Sequence, residues 1–212
     1  VRLFNFRMTL KLDEIAQKID ATVIGDGHIE INSISSNVDI KKKPIEYCRT
    51  IVYIAKYNFD EDSISKNAVL LLNKSIFEKF KEPEKFNFLV SKNSKLSFAL
   101  LTNLFKVELS IPQFQILKPN SNKLLVGSNV SFGLNFKYGL NCIVEDNVTI
   151  GDNVTIDNNV IIHHGSIIGN NVVIRSGTII GSEGFGNVQL NDKSWCHIAH
   201  LGNVVLKNNI DI

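Results

Sequence analysis

Residues 126–181 read VGSNVSFGLNFKYGLNCIVEDNVTIGDNVTIDNNVIIHHGSIIGNNVVIRSGTIIG, and one apolar position recurs in them every six residues without a break. The ten positions are Val126, Phe132, Tyr138, Val144, Ile150, Ile156, Ile162, Ile168, Ile174 and Ile180. A second, mostly apolar series runs two residues ahead of them. Six is a multiple of the strand repeat of two residues and a poor match to the helical repeat of 3.6. The spacing therefore predicts short strands wrapped into a parallel β-helix, at roughly three hexads per coil.

Glycine follows the main apolar position in six of the ten hexads, and asparagine is also frequent near the predicted corners. Both residues tolerate the left-handed backbone conformations that tight turns require. The pattern therefore places the corners of the coils as well as their strands. A meandering β-sandwich would not keep one register through ten turns.

The region before the repeat, residues 9–110, predicts a small α/β domain. Residues 9–19 and residues 94–105 place apolar side chains at helical spacing. Residues 21–36 predict a β-hairpin with an Asp-Gly turn. Short apolar runs farther along predict buried strands.

Residues 111–123 contain two prolines and no periodicity, which indicates a linker between domains. The predicted fold class is thus an α+β N-terminal domain at 9–110, a linker, and a parallel β-helix at 124–212. The β-helix pattern is still in register at Ile212, so we expect the helix to be incomplete at this end.

The composition excludes several classes of function. The net charge of +2 gives no strong field, so nucleic acid is not an expected partner. Three cysteines, far apart and odd in number, indicate neither a disulfide framework nor a zinc site, and they fit a reducing compartment. No apolar run approaches the roughly 20 residues of a membrane-spanning helix.

Three stretches carry a resemblance to a known family. They are TLKLDEIAQKIDATVIGDGHIEINSISS at 9–36, RSGTIIGSEGFGNV at 175–188 and WCHIAHLGNVVLKNNIDI at 195–212. In this order, ahead of and within a hexapeptide repeat, they resemble the UDP-3-O-(3-hydroxyacyl)glucosamine N-acyltransferases of lipid A biosynthesis. The resemblance covers nearly the whole chain from Met8.

This resemblance implies a left-handed parallel β-helix and a cytoplasmic enzyme that forms a homotrimer. The implied reaction moves a 3-hydroxyacyl chain from acyl carrier protein to the 2-amino group of UDP-3-O-acylglucosamine, with no cofactor. A trimer also suits the flat faces of coils, which can pack by cyclic symmetry.

The resemblance also implies a uracil site in the N-terminal domain, at VYIAKYNF, residues 52–59. Tyr53 and Phe59 stand where the family has aromatic residues around the uracil ring, and Lys56 stands where it has an asparagine. Aromatic faces suit a flat heterocycle. Lys56 is a departure, because lysine donates hydrogen bonds but cannot accept them. The alternative is an ordinary strand edge that carries aromatic side chains.

The resemblance assigns no catalytic residue to this chain, because the histidine that serves the family as general base follows a segment beyond Ile212. We therefore expect the 212-residue chain to be inactive or partial. His200 aligns with a glutamine that borders the family's cleft, which favours a substrate-proximal or surface role over a catalytic one. Phe185, Trp195, His197 and His200 lie in an interruption of the six-residue register, at 181–202, and we expect them to line a cleft shared with a neighbouring subunit.

Two alternatives remain open. One is a nucleotide-sugar-binding or assembly module without chemistry. The other is a zinc hydratase, which needs three converging histidines. Adjacent residues His163 and His164 point to opposite faces of a strand, so they favour corner or interface positions over a metal site.

Overall fold

The computed structural model describes residues 9–36, 49–106, 115–117 and 124–212. They form two compact units. The N-terminal unit contains the described residues up to Lys106 together with Phe185–Leu201. The β-helix unit contains the described residues from 115 to Gly184 together with Gly202–Ile212. Secondary-structure elements are numbered below in chain order.

The N-terminal unit contains a five-stranded sheet in the order β2-β7-β6-β5-β4. Its strands are β2 (Ala21–Ile24), β4 (Ser33–Ser36), β5 (Thr50–Tyr53), β6 (Val69–Asn73) and β7 (Asn87–Ser91). Only β2 runs antiparallel to its neighbour in this sheet; the other pairs are parallel. Two further strands, β1 (Leu10–Lys11) and β3 (Glu30–Ile31), pair antiparallel with each other.

In the described part of this unit the α-helices are α1 (Leu12–Lys18), α2 (Lys74–Phe77) and α3 (Ser94–Leu104). Short 3-10 helices span Glu61–Ser63 and Pro83–Lys85. Asparagine side chains cap two of the α-helices: Asn73 accepts from the Ile76 N–H at 2.9 Å, and Asn93 accepts from the Leu96 N–H at 3.1 Å. No helix among the described residues is long and apolar enough to cross a membrane.

The hairpin predicted for residues 21–36 is wrong in its pairing. The chain does form strands there, but β2 pairs with β7, β3 with β1, and β4 with β5. The turn lies at residues 27–28, and the Leu12 N–H donates to the Ile29 carbonyl and the Asp13 N–H to the Gly27 carbonyl. Contacts to α1 and β7, distant in sequence, override the local hairpin signal.

The sheet has an apolar cluster on each face, because successive strand residues point to opposite sides. We call the first the α1/α3 cluster; it includes Leu12, Ile15, Leu101, Ile51 and Leu71. We call the second the α2 cluster; it includes Ile76, Phe80, Phe88, Val52 and Leu70.

The β-helix unit consists of three parallel sheets whose strands recur at 18 residues, as three hexads per coil require. The first sheet contains β9 (Leu124–Val126), β12 (Cys142–Val144), β15 (Ile161–Ile162) and β18 (Ile179–Ile180). The second contains β10 (Ser131–Phe132), β13 (Thr149–Ile150), β16 (Ile167–Ile168) and β21 (Val205–Leu206). The third contains β11 (Lys137–Tyr138), β14 (Thr155–Ile156), β17 (Val172–Ile174) and β22 (Ile210–Asp211).

The parallel β-helix predicted by the hexads is therefore confirmed, of the left-handed hexapeptide type that the resemblance implies, and both apolar series supply its core. Within the predicted linker, residues 115–117 form strand β8 (Gln115–Leu117), which pairs antiparallel with β9. The rest of 111–123 lies outside the described residues.

The corners of the coils use asparagine at positive φ, as the sequence predicted. Asn129, Asn135, Asn141, Asn147, Asn153, Asn159, Asn171 and Asn209 have φ between 53 and 59°. Several stack along the helix: the Asn135 amide donates to Asn153 Oδ1 at 2.9 Å, and the Asn153 amide donates to Asn171 Oδ1 at 3.1 Å. These asparagines adopt the left-handed conformation that the turn requires, and their side chains form hydrogen bonds between neighbouring coils.

The interruption after Ile180 is an insertion of about one coil's length. In the second sheet, paired residues such as Ile150 and Ile168 are 18 positions apart in the sequence. The next pair, Ile168 and Leu206, is 38 positions apart. The inserted residues form an antiparallel hairpin of β19 (Asn187–Gln189) and β20 (Trp195–His197). The coil then resumes in register.

Candidate functional site

Tyr53 ends strand β5 and is half-buried. Its ring stacks on Phe98 of α3, with centroids 4.5 Å apart and planes 14° from parallel. Burial raises the pKa of the Tyr53 phenol, and a hydrogen bond with Ser94 partly offsets this. The aromatic face of Tyr53 thus lies in the α1/α3 cluster, held by a neighbouring ring.

Phe59, the second predicted uracil contact, packs into the α2 cluster instead. Its ring centroid is 5.0 Å from that of Tyr57 and 6.0 Å from that of Phe80. Tyr53 and Phe59 therefore belong to clusters on opposite faces of the sheet. Lys56 lies between them in sequence and is exposed. The three predicted uracil contacts are therefore distributed over two clusters and the surface.

Tyr57 is a polar group of this segment that the sequence did not single out. Its hydroxyl donates to Glu61 Oε1, and this carboxylate also accepts from the Lys81 N–H at 3.1 Å. The hydrogen bond to Glu61, followed by partial burial, raises the pKa of Tyr57 to about 12. A glutamate four residues after a tyrosine is the only sequence signal for this pair.

The inserted hairpin packs within the N-terminal unit through buried Val188 and Ala199. The Asn103 amide of α3 donates to the His197 carbonyl at 2.7 Å, and the Ala199 N–H donates to Thr102 Oγ1 at 3.2 Å. The hairpin is therefore anchored by hydrogen bonds to α3 as well as by apolar burial.

The predicted cleft-lining residues differ in exposure. Phe185 is 99% exposed and Trp195 is 67% exposed, and His200 is exposed as well. His197 is partly buried, with its Nδ1 3.3 Å from Asn187 Oδ1. The hairpin therefore presents Phe185, Trp195 and His200 at the surface of the N-terminal unit, and turns His197 toward its own strand partner.

A second polar cluster lies in the β-helix unit. Glu145 and His163 face one another across adjacent coils, with Nδ1 of His163 3.1 Å from Oε1 of Glu145. The other carboxylate oxygen of Glu145 accepts from the His164 N–H at 3.0 Å. Residues 9–36, 49–106, 115–117 and 124–212 contain no group of three or more His, Cys, Asp or Glu that could hold a metal ion.

Comparisons with known proteins agree with this architecture. Residues 147–182 match the family model described as bacterial transferase hexapeptide (six repeats). UDP-3-O-acylglucosamine N-acyltransferases from Vesicomyosocius okutanii and Ruthia magnifica are 44% and 43% identical over 206 residues. Each of these two alignments covers 94% of this chain and 59% of the relative. The enzyme of the same name from Campylobacter concisus is 33% identical over 131 residues, which cover 58% of this chain and 38% of the relative.

The chain thus spans about three fifths of the length of the first two relatives, and an alignment over 94% of the chain includes residues of both units. The resemblance carried by residues 9–36, 175–188 and 195–212 is confirmed. The chain is a homologue of the UDP-3-O-acylglucosamine N-acyltransferases, and its residues 147–182 carry the bacterial transferase hexapeptide repeat.

Proposed function

We propose that the chain contributes the nucleotide-sugar-binding domain and the first coils of a UDP-3-O-acylglucosamine N-acyltransferase. The reaction would transfer a 3-hydroxyacyl group from acyl carrier protein to the 2-amino group of UDP-3-O-acylglucosamine, in the cytoplasm and in a homotrimer. The observation that carries this proposal is the identity of 44% over 94% of the chain, since it includes the N-terminal unit and not the common β-helix alone.

The acyl transfer needs a base that takes the proton released when the amine attacks the thioester, which contributes about 10²- to 10⁴-fold in rate. The resemblance assigns that base to no residue up to Ile212. We therefore expect the 212-residue polypeptide to bind the UDP-sugar without turnover. The assay is acyl transfer from 3-hydroxyacyl carrier protein to UDP-3-O-acylglucosamine. Multiple turnovers by this polypeptide would assign the base to one of its own residues.

The uracil contacts are proposed at Tyr53, Phe59 and Lys56, with Phe185 and His200 nearer to the rest of the substrate. Tyr53→Ala or Phe59→Ala should weaken UDP-glucosamine binding at least about fivefold, because one aromatic stacking contact contributes about 1–3 kcal/mol. Isothermal titration calorimetry measures the affinity. Tyr53→Phe is the matched control and should bind as the parent does, since it keeps the ring and removes only the hydroxyl.

Unchanged affinity in both alanine variants would exclude the uracil contacts while leaving the family assignment intact. Binding without turnover, in a chain joined to every segment its relatives possess, would instead favour the nucleotide-sugar-binding or assembly module. Stoichiometric zinc in the purified protein would favour the hydratase. The mass of the assembly in solution tests the trimer.

A further inference from the structure

The regular corners of the β-helix follow one rule, and the corner at Glu145 and His163 departs from it. At a regular corner a glycine precedes the turn, and the side-chain oxygen of an Asp or Asn one coil on accepts a backbone N–H. The Ser128 N–H donates to Asp146 Oδ1 at 2.6 Å, and the Leu134 N–H donates to Asp152 Oδ1 at 2.7 Å. The same bond recurs at Leu140 and Asn158, at Asp152 and Asn170, and at Asn170 and Asn208.

The departing corner carries Glu145 and His163 at the glycine position, and His164 where the next Asp or Asn would stand. The hydrogen bond between the coils runs in the opposite direction here. The backbone N–H of His164, in the later coil, donates to the side chain of Glu145 in the earlier coil. Places where a strict local rule is broken by titratable side chains are candidates for function. The column of Asp157 and Arg175 also lacks the glycine, but Arg175 forms ion pairs with Asp157 below it and with Asp211 of the next coil, which account for these side chains.

The bond to Glu145 fixes the protonation pattern of the neutral imidazole. An ionised carboxylate only accepts hydrogen bonds, so Nδ1 of His163 carries the proton. The lone pair of the neutral ring then resides on Nε2, the nitrogen that does not face Glu145. The side chains of His163 and Glu145 are 29% and 20% exposed. This arrangement offers an oriented acceptor at the surface of the coil.

The position above His163 leaves a second polar atom without a partner. Gly181 follows in the same column and has no side chain, and a Cβ placed there would lie 2.9 Å from Ser166 Oγ and 3.5 Å from the Cβ of His163. The hydroxyl of Ser166 is fully buried and has no hydrogen-bond partner among the described residues. Buried hydroxyl groups usually have a hydrogen-bond partner, so the unpartnered Ser166 hydroxyl is a second irregular feature beside His163.

The charge at this corner favours a cationic donor. Glu145 and its neighbour Asp146 are both acidic, and an anion approaching His163 would meet them at close range. A metal ion would need further ligands, and the described residues supply no group of three. A protonated primary amine needs only one acceptor and one opposing charge.

We propose that Glu145 and His163 form a binding site for the ammonium group of a small amine. Nε2 of His163 accepts the hydrogen bond, and Glu145 orients the ring and supplies the opposing charge. The site uses residues of the β-helix unit alone, and it does not depend on the uracil contacts proposed above.

The test follows the imidazole nitrogens of the ¹⁵N-labelled chain by long-range ¹H–¹⁵N correlation, with His163 assigned from a His163→Gln variant. D-glucosamine hydrochloride is the probe, and N-acetyl-D-glucosamine at matched ionic strength is the uncharged comparison. We expect the free protein to show the Nδ1–H tautomer. Glucosamine should shift Nε2 of His163 with a dissociation constant in the millimolar range, and the amide should not.

Glu145→Gln should weaken glucosamine binding about tenfold, since it removes a charge-assisted interaction. His164→Gln is the matched control and should leave the shift unchanged, because His164 contributes only its backbone N–H. If Glu145→Gln does not fold, the parent's weaker response at higher salt tests the charge instead. An Nε2–H tautomer, an equal response to both sugars, or a response that salt does not weaken would overturn the proposal.

Discussion

The β-helix unit and the N-terminal unit bury apolar side chains by different means. Contacts in the β-helix repeat at 18 residues, so Asp146, Asp152 and Asn158 make the same hydrogen bond at successive corners. Contacts in the N-terminal unit do not repeat: Ser97 Oγ donates to the Ile19 carbonyl at 2.7 Å, across 78 positions of sequence. In the β-helix unit, the effect of a substitution can be inferred from the equivalent residues of neighbouring coils. In the N-terminal unit, it depends only on the residues that contact the substituted side chain.

The largest effect is expected at a crowded corner of the β-helix. A Cβ at residue 151 would lie 2.8 Å from the carbonyl of Gly169 and closer still to Asn170 Oδ1, which the Asp152 N–H holds at 2.8 Å. Gly151→Ala should therefore lower the free energy of unfolding by about 2–3 kcal/mol, since neither neighbour can move freely. Urea unfolding followed by circular dichroism measures the change.

Gly177 is the matched control, because nothing lies within 4 Å of a Cβ there although its φ is +78°. Gly177→Ala should lower the free energy of unfolding by only about 1 kcal/mol, because alanine disfavours the left-handed backbone conformation. Gly177→Asn should cost less, since Asn141 and Asn159 have positive φ in the same column. Equal costs for Gly151→Ala and Gly177→Ala would show that crowding does not explain the corner glycines.

The same contrast explains which features the sequence could predict. One six-residue register fixes the face of every β-helix side chain, so both the core and the corners could be predicted from the sequence. The length of the insertion could not be predicted, because the spacing of Ile180 and Leu206 requires only that at least two residues are extra. The residue at which the coil resumes depends on pairing with β16.

In the N-terminal unit the strands were predictable but their partners were not. Residues 21–24 pair with 88–91, and no local pattern encodes that choice. Tyr57 was missed for the same reason, because its environment is built from Glu61, Phe80 and other residues that the fold assembles. The placement of Tyr53 and Phe59 in different clusters likewise depends on strand alternation and on α3.

A smaller effect, of opposite sign, is expected where the apolar column of the second sheet is broken. Ser166 follows Val130 and Val148 in that column, and its hydroxyl has no partner among the described residues. Ser166→Ala should raise the free energy of unfolding by about 1 kcal/mol, because a buried hydroxyl without a hydrogen bond is desolvated at a cost. Exposed Ser131→Ala is the control and should be neutral. A loss of stability would mean that the hydroxyl has a partner in solution.

A comparable but local effect is expected in the N-terminal unit. Asn103 donates one amide to both the Ala99 carbonyl at 2.8 Å and the His197 carbonyl at 2.7 Å. Asn103→Ala should loosen the inserted hairpin by about 1 kcal/mol, which corresponds to about fivefold faster amide exchange in β19 and β20. Lys95→Ala on the exposed side of α3 should leave this exchange unchanged. Faster exchange throughout the unit would point to global destabilisation instead.

The smallest effect is expected in the titration of Tyr57, in the N-terminal unit. The bond to Glu61 favours the neutral phenol of Tyr57 and raises its pKa from 10.0 to about 12. A raised folded-state pKa contributes stability that is complete below pH 10 and is lost as the pH rises through about 12. Ultraviolet absorbance should therefore show tyrosinate forming near pH 12, and Tyr57→Phe should lower the amplitude of this phase by one tyrosine while the raised pKa of Tyr53 stays as it is. Glu61→Gln should move this phase to lower pH, because it removes both the charged acceptor and its repulsion of the phenolate; an unmoved phase would assign the shift to burial instead.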